Sequence, residues 1–489
     1  MITKIINIKN VGTFENYTRN SSQLWNGDFE KINIIYAPNG SGKTTLATIF
    51  NSLSKNKPEL VLLKQTFNKT ELPSIKLHSN STSGIIEFSN KEWNQDKPDI
   101  EVFDIHFIED YLFNSSLVSK KNVTNLLSLI LGERGANLRK QHKNKLVKKK
   151  KTETRLKQLL DKTETKKTIK QKKELNDLLI LQENLIKECV NEFELYSKPV
   201  FEKYINSMNK YLSRFTSNIK LHSFINPIIS FEAEKLKPSL NICVAGKIIR
   251  FKSPDLSKKV GNVKFALSEG DKNAIALSFF LARLDIIGTE DKIIVFDDPL
   301  SSFDQDRKTS TTYLLSKLAI ECKQFFLLTH DIHFAKAVTD KLSFSKILNL
   351  KILKSLSSSE LTNHNIQFDT LSGFQKDLIT MKNYLSNTSQ TEQEKREVIR
   401  CIRPVLESII KTKYFDVLNY NDWLGDIISK VKKSTGNESV SNLKPVYQDL
   451  IELNDFSKQF HHSENTPLLI SNNELEFYIK LLIKTIGKI

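Results

Sequence analysis

Apolar and polar positions alternate through KIINIKNV, KINIIYA, GIIEFSN and DIEVFDIHFI, which lie within residues 1 to about 110 and are divided by turn residues. Runs of this kind predict strands. A second strand-like block spans about 240 to 352, with NICVAGKIIRF, KIIVFDD, QFFLLTH and ILNLKIL. Between the blocks the period changes. From Ala136 to Val190 there is no proline or glycine, strong helix formers dominate and apolar positions are sparse. That pattern predicts long helices, as a short antiparallel pair inserted into the strand-rich domain. The polar stretch KSLSSSELTNHN reads as a linker, and beyond it the pattern is helical again, with breaks near KKSTGNES and HHSENTP. The expected organisation is an α/β head in two parts, 1–130 and 241–353, around a helical insertion at 131–240. A linker at 354–365 and an all-α unit at 366–489 follow.

Composition narrows this picture. A chain of 489 residues suggests about two or three domains. Its 39% hydrophobic and 26% charged residues are ordinary for buried cores. No apolar run approaches the ~20 residues of a membrane span, and MITKIINIKNVGTF lacks the features of a signal peptide. Cys189, Cys243, Cys322 and Cys401 lie far apart with no CxxC pair. They point to a reducing cytoplasm and against structural zinc. The net charge of +17 suggests a polyanionic partner, although a Lys-, Asn- and Ile-rich composition produces the same balance. Lys148 to Lys151, preceded by Lys143 and Lys145, form either a solvated helix face or a surface that tracks phosphates.

Candidate chemistry begins where KINIIYA runs into PNGSGKT and then the helical start TTLATIF, the context of a phosphate-binding loop. Asn39, Gly40, Ser41, Gly42, Lys43, Thr44 and Thr45 are the candidate nucleotide ligands. Gly40 and Gly42 let backbone N–H groups turn toward phosphate oxygens, and the helix N-terminus adds its positive end. Lys43 reaches the β and γ phosphates, Thr44 holds Mg²⁺, and Thr45 sits in the first helical turn. Ala37 stands where the usual pattern has glycine, so that corner must accept a Cβ. ATP and GTP fit equally, because the loop reads phosphates. KIIVFDDPLSSFD is an apolar strand ending in two carboxylates. Asp297 suits the Mg²⁺ water shell, and Asp298 stands where a general base would polarise water, at closer range than a glutamate needs. In LSEGDKNAIALSFFLARL, Ser268 and Gly270 open a helix whose N-terminus can face a γ-phosphate. FFLLTHDIHF ends a strand at Thr329 and His330.

In this order and context the motifs resemble the ABC-type ATPases of the SMC-like repair and defence class, over about 1–130 and 240–350. The resemblance implies an ABC-type P-loop head with LSEGDK as signature motif and His330 as the switch histidine sensing the γ-phosphate. It also implies self-association, with two ATP molecules sandwiched between two heads. Transport is disfavoured, since no membrane segment is evident and the insertion is helical and basic.

The blocks IEVFDIHFIEDYLF and NLLSLILGERGANL, beside YAPNGSGKTTL and FDDPLSSFD, resemble the PrrC/RloC group of ATPases. The short insertion without a CxxC hook is closer to PrrC. Members of that group include tRNA anticodon nucleases whose C-terminal domain is latent until nucleotide hydrolysis. A restriction–modification or other defence complex as inhibitory partner is implied with them. Their metal-free centre combines an arginine, a glutamate four residues later and a more distant histidine. EVIRCIRPVLESIIK offers Arg403 and Glu407, which i,i+4 spacing puts on one helix face, and NDFSKQFHHSENTP offers His461 and His462. Such a set attacks through the ribose 2′-OH and leaves a 2′,3′-cyclic phosphate. Arg403 and Glu407 are equally consistent with an ordinary ion pair worth ~0.3–0.5 kcal/mol, and Pro404 between them implies a kink or a helix start. Two other readings stay open: an ATPase sensor or scaffold beside a separate nuclease, and a DNA-repair ATPase of the SMC-like class.

Overall fold

A computed structural model describes the chain except for residues 19–24, 81–83, 95–97, 108–119, 162, 164, 225–239, 251–266, 301–302, 356–357, 387–390 and 459–469. The backbone divides into two units, Met1–His364 and Asn365–Ile489.

In the first unit, β1 (Ile2–Val11), β2 (Phe14–Thr18), β4 (Ser74–Ser79), β5 (Ile85–Ser89) and β6 (Glu92–Trp93) form an antiparallel sheet in the order β2-β1-β4-β5-β6. A six-stranded sheet orders β14 (Ser359–Asn363), β13 (Ile347–Lys354), β3 (Ile32–Tyr36), β12 (Gln324–Thr329), β11 (Ile293–Asp297) and β7 (Ile100–Phe103). The last five run parallel, and only β14 is antiparallel to its neighbour. Between the sheets lies α1 (Lys43–Lys55), whose Leu46, Ile49, Phe50 and Leu53 share one core with Ile2, Ile5, Ile8, Phe326 and Leu328. On the other face of β11, Phe296 meets Phe103 and Phe280, with ring centroids 5.8 and 5.3 Å away. Burial on both faces explains the unbroken apolar runs KIIVF and QFFLL.

After the one-turn α2 (Glu59–Leu62) come α3 (Lys120–Leu160) and α4 (Lys166–Phe215). Tyr196 Oη donates to the Leu131 carbonyl at 2.7 Å, Lys145 Nζ to Leu185 at 3.0 Å, and Lys149 pairs with Glu183 at 2.8 Å. Rising numbers on α3 meet falling numbers on α4, so the pair is antiparallel, as expected. It is longer than expected: 41 and 50 residues correspond to ~60 and ~75 Å. The pair begins at Lys120 rather than 131, with a non-helical break at Gly132. It ends at Phe215, and β8 (Ile219–Phe224), β9 (Leu240–Val244) and β10 (Lys247–Arg250) form a small antiparallel sheet within or beside the span expected to be helical. The head then continues through α5 (Glu269–Ile287), α6 (Gln305–Glu321) and α7 (Ile332–Lys341).

The expected linker at 354–365 is corrected. Its centre is β14, paired antiparallel with β13 from Leu350↔Asn363 to Lys354↔Ser359. β14 is polar because it is the edge of the sheet, yet Ser359 and Leu361 are fully buried.

The second unit contains α8 (Ile366–Asp369), α9 (Gly373–Ser386), α10 (Glu392–Lys413), α11 (Leu424–Lys433), a 3₁₀ segment (Ser439–Val446), α12 (Tyr447–Lys458) and α13 (Asn472–Ile486). They enclose their own core. α10 supplies Val398, Ile399, Ile402, Val405, Leu406 and Ile410, an i, i+3, i+4 stripe. Pro404 lies inside α10, which continues to Lys413. Neither a start nor a stop occurs there; buried neighbours on both sides hold the helix through the lost bond to the Arg400 carbonyl.

Candidate functional site: a phosphate loop with two carboxylates and a histidine

Parallel pairing fixes where the site forms. Tyr36 pairs with Thr329 and Asp297 with Leu328, so β3, β12 and β11 end together. Their following loops carry Lys43, His330 and Asp298. Two backbone bonds lock this rim: Ala37 N–H to the Thr329 carbonyl and Asp298 N–H to the Leu328 carbonyl, each at 2.9 Å.

Gly42 caps α1 with φ 116°, a conformation closed to most side chains. A Cβ there would stand 2.7 Å from Thr13 Oγ1 and 2.8 Å from Phe14 Cε2. Gly40, also left-handed, is exposed. Ala37 is fully buried in the core between the sheets, so the corner accepts its methyl without strain. Lys43 is 5% exposed. Its Nζ donates to the Ala37 carbonyl at 2.8 Å, to Pro38 at 3.3 Å and to Asn39 Oδ1 at 3.4 Å. Thr45, expected among the nucleotide ligands, is buried against Gly12, where a Cβ would come within 2.5 Å of its Oγ1.

Asp298 joins the three loops. Its Oδ2 is 3.5 Å from Lys43 Nζ, and its Oδ1 accepts from His330 N–H at 2.9 Å and lies 2.8 Å from His330 Nδ1. Its backbone is left-handed, φ 45°, strain of the kind that collects at functional sites. Asp297 points into the protein. Burial, then the neighbouring Asp298, push its carboxyl up to about 7, against a hydrogen bond from Thr44. Its Oδ1 is buried without a hydrogen-bond partner. An orphaned carboxylate oxygen beside the Thr44 hydroxyl fits a hard divalent cation such as Mg²⁺. Asp104 also raises Asp297. It is 1% exposed, accepting from Asn51 Nδ2 at 2.9 Å and from Phe107 N–H at 2.8 Å. Sequence reading missed Asp104, although DIEVFD has the same strand-to-aspartate form as KIIVFDD.

Ser268 caps α5 and Asp271 returns the bond, its Oδ2 accepting from Ser268 N–H at 3.2 Å and from Ser268 Oγ at 2.7 Å. Ser268 is exposed and Gly270 buried. Neither makes a hydrogen bond to the phosphate loop among the described residues. The helix is held by the insertion instead. Tyr204 Oη donates to the Phe279 carbonyl at 2.6 Å, and Ser207 and Tyr211 donate to Asp285 at 2.6 and 2.7 Å. Arg283 grips Glu101 with two nitrogens, 3.1 and 2.8 Å, and the Leu129 carbonyl at 2.9 Å. Arg307 bridges Asp271 and the Phe215 carbonyl at 2.8 and 3.0 Å.

A profile of the AAA domain matches residues 10–237 and 233–474. The chain belongs to this AAA-domain family. It is 34% identical over 83 residues to the uncharacterized ABC transporter ATP-binding protein MJ0873 of Methanocaldococcus jannaschii. That segment is 17% of this chain and 27% of the relative, so the match spans about a quarter of its length. Among solved structures, the Smc head domain with an extended coiled coil bound to the C-terminal domain of ScpA, from Pyrococcus furiosus, shares 14% identity at a TM-score of 0.42. The alignment covers 79% of this chain and all of that one. The SMC head domain from Thermotoga maritima shares 13% identity at 0.31, over 75% and 100%. Values this low transfer no partner or activity to the present chain. Family membership and the loop geometry make this an AAA-domain ATPase head with a nucleotide-binding phosphate loop.

In the C-terminal unit of this AAA-domain protein, Arg403 Nη2 is 3.8 Å from Glu407 Oε1, so the helix brings these two together. Glu407 is 9% exposed, and the same Oε1 accepts the Leu424 N–H at 2.8 Å, capping α11. Lys411 approaches Oε2 at 3.9 Å. His461 and His462 lie outside the described residues. The four cysteines are unpaired thiols. The lysine run splits in two: Lys145 and Lys149 tie α3 to α4, whereas Lys143, Lys148 and Lys151 are exposed without an ion pair among the described residues. No described helix is long and apolar enough to cross a membrane.

Proposed function

We propose that this chain works as a pair of ATPase heads whose hydrolysis cycle releases tRNA cleavage by the C-terminal unit, in the cytoplasm of a bacterium defending itself against phage. The observation that supports the engine is the joining of Lys43 and His330 through Asp298, with Asp297 and Thr44 alongside. Lys43 binds the β and γ phosphates of ATP or GTP. Asp298 takes the proton of the attacking water, and His330, bonded to it, orients the carboxylate and senses the γ-phosphate. Mg²⁺ held through Thr44 and Asp297 would neutralise charge on the phosphate oxygens. Exposed Ser268 and its helix N-terminus supply the donor for a phosphate on a second copy, which makes the head dimer part of the site.

The C-terminal reaction rests on the Arg403–Glu407 pair, completed by His461 or His462. Glu407 or a histidine removes the 2′-OH proton, and the 2′-oxygen bonds to phosphorus while Arg403 offsets charge on the scissile phosphate. The P–O5′ bond breaks with the protonated acid returning its proton to the 5′-oxygen, giving a 2′,3′-cyclic phosphate and a 5′-hydroxyl without metal. Dependence on the 2′-OH selects RNA over DNA. A restriction–modification or similar defence complex is the proposed restraint. One observation favours a second reading, a sensor or scaffold acting beside a separate nuclease: Glu407 already caps α11.

Expression in bacteria, with end-mapping of cellular tRNA, separates the two. The nuclease reading expects cleavage by wild type and none by Lys43→Ala or Glu407→Gln. Intact tRNA in all three under activating conditions rejects it and leaves the second reading.

A further inference from the structure

We propose that Thr13 and Ser359 are positioning residues of the phosphate loop, whose hydroxyls set the direction of the Gly42 N–H. The proposal rests on the reading of residues 37–45 as the nucleotide's phosphate site. Ser41 sits in the middle of that loop and is 4% exposed. Its carbonyl oxygen accepts twice, from Ser359 Oγ at 2.8 Å and from Thr13 Oγ1 at 3.2 Å. The donors come from distant parts of the chain: Thr13 from the turn between β1 and β2, Ser359 from the first position of β14. They are themselves linked, since Ser359 N–H donates to the Thr13 carbonyl at 2.8 Å.

The peptide between Ser41 and Gly42 is planar and trans, so its C=O and N–H point in opposite directions. Two hydroxyls that hold the carbonyl against the protein wall therefore aim the Gly42 N–H away from that wall. Gly42 can hold this orientation because its φ of 116° is open to glycine. The Thr13 and Phe14 side chains fill the space a Cβ would need. Released from both donors, the peptide can rotate about its flanking torsions, and an N–H aimed at phosphate is lost without breaking the fold. A general P-loop pattern supplies no such donors, which sit 28 and 318 residues from Ser41.

The test is titration of purified full-length chain with Mg²⁺ and a fluorescent ATP analogue, together with steady-state turnover and thermal melting. The variants are Thr13→Val, Thr13→Ser, Ser359→Ala, the double variant Thr13→Val/Ser359→Ala, and Lys43→Ala. Thr13→Val keeps the shape and removes the hydroxyl. It is expected to weaken nucleotide binding about fivefold, the worth of one hydrogen bond, while Thr13→Ser retains wild-type affinity. Ser359→Ala should lose a similar or larger factor and the double variant more than either. Folded Thr13→Val with wild-type affinity and turnover overturns the proposal. So does an equal loss in Thr13→Ser, because packing rather than the hydroxyl would then be responsible. If Ser359→Ala unfolds, the Thr13 pair decides alone, since Thr13 is only half-buried. Lys43→Ala binding nucleotide as wild type would instead reject the phosphate-site reading itself.

Discussion

Glu407→Gln separates chemistry from architecture in the C-terminal unit. Glu407 Oε1 accepts the Leu424 N–H at 2.8 Å, while its two cations stand at 3.8 and 3.9 Å. Glutamine keeps an oxygen at that place, so the cap on α11 survives in weakened, uncharged form. What goes is the charge: two long i,i+4 contacts worth ~0.3–0.5 kcal/mol each, and the difference between a charged and a neutral hydrogen bond, roughly 1 kcal/mol. The expected cost is therefore ~1–2 kcal/mol. Glu407→Ala leaves the Leu424 N–H unsatisfied in a buried site and deletes packed methylenes, for roughly 3–4 kcal/mol in all. With ~4 °C per kcal/mol for a unit of this size, the glutamine variant should melt ~4–8 °C lower and the alanine variant ~12–16 °C lower. Cleavage must be read at a temperature where both are folded. The nuclease proposal expects Glu407→Gln to lose cleavage by about a hundredfold or more, the range of a general acid–base group. A glutamine variant that melts as expected yet cuts tRNA at the wild-type rate removes Glu407 from the chemistry. One that melts as low as alanine refutes the capping argument.

Asp298→Asn preserves the acceptor for His330 and tolerates the left-handed backbone, but cannot take a proton. Turnover should fall roughly 10²–10⁴-fold with nucleotide retained and the dimer favoured, measured by phosphate release and size-exclusion with ATP; unchanged turnover removes Asp298 as base. Gly42→Ala forces a Cβ to within 2.7 Å of Thr13 Oγ1 at φ 116°. ATP binding should become undetectable by titration, and a variant that still binds as wild type contradicts the loop geometry. Replacing Lys143, Lys148 and Lys151 by glutamine should weaken RNA binding and lower its salt slope by about 2, the release expected from three phosphate contacts. Lys145 and Lys149 must be spared, since they join α3 to α4. An unchanged slope identifies the run as a solvated face.

Although Thr45, expected as a ligand, is buried against Gly12, the strand–loop–helix form of the phosphate loop was legible because it is local: glycine, lysine and threonine at fixed spacing between a β-run and a helical run have one backbone geometry. The same holds for the cap at Ser268 and for the i,i+4 meeting of Arg403 and Glu407. The linker was misread because edge strands are polar. Nothing in SSSELTN declares that β13 is waiting beside it, and Ser359 is buried by its neighbours rather than by its own hydrophobicity. The helix start offered for Pro404 fails for the opposite reason, since a local penalty is overridden where packing on both sides holds the helix.

What the sequence by itself determined, then, were most of the elements and the local form of the phosphate loop, both set by short-range steric and periodic rules. What only the tertiary structure decided were the partnerships. Asp298 becomes the link between Lys43 and His330 because three parallel strands end side by side. Asp297 rises to about 7 because it is buried next to other carboxylates. Glu407 is occupied as a cap because α11 begins against it. These depend on burial and on contacts between residues far apart in the chain, and neither quantity is carried by any local window of residues.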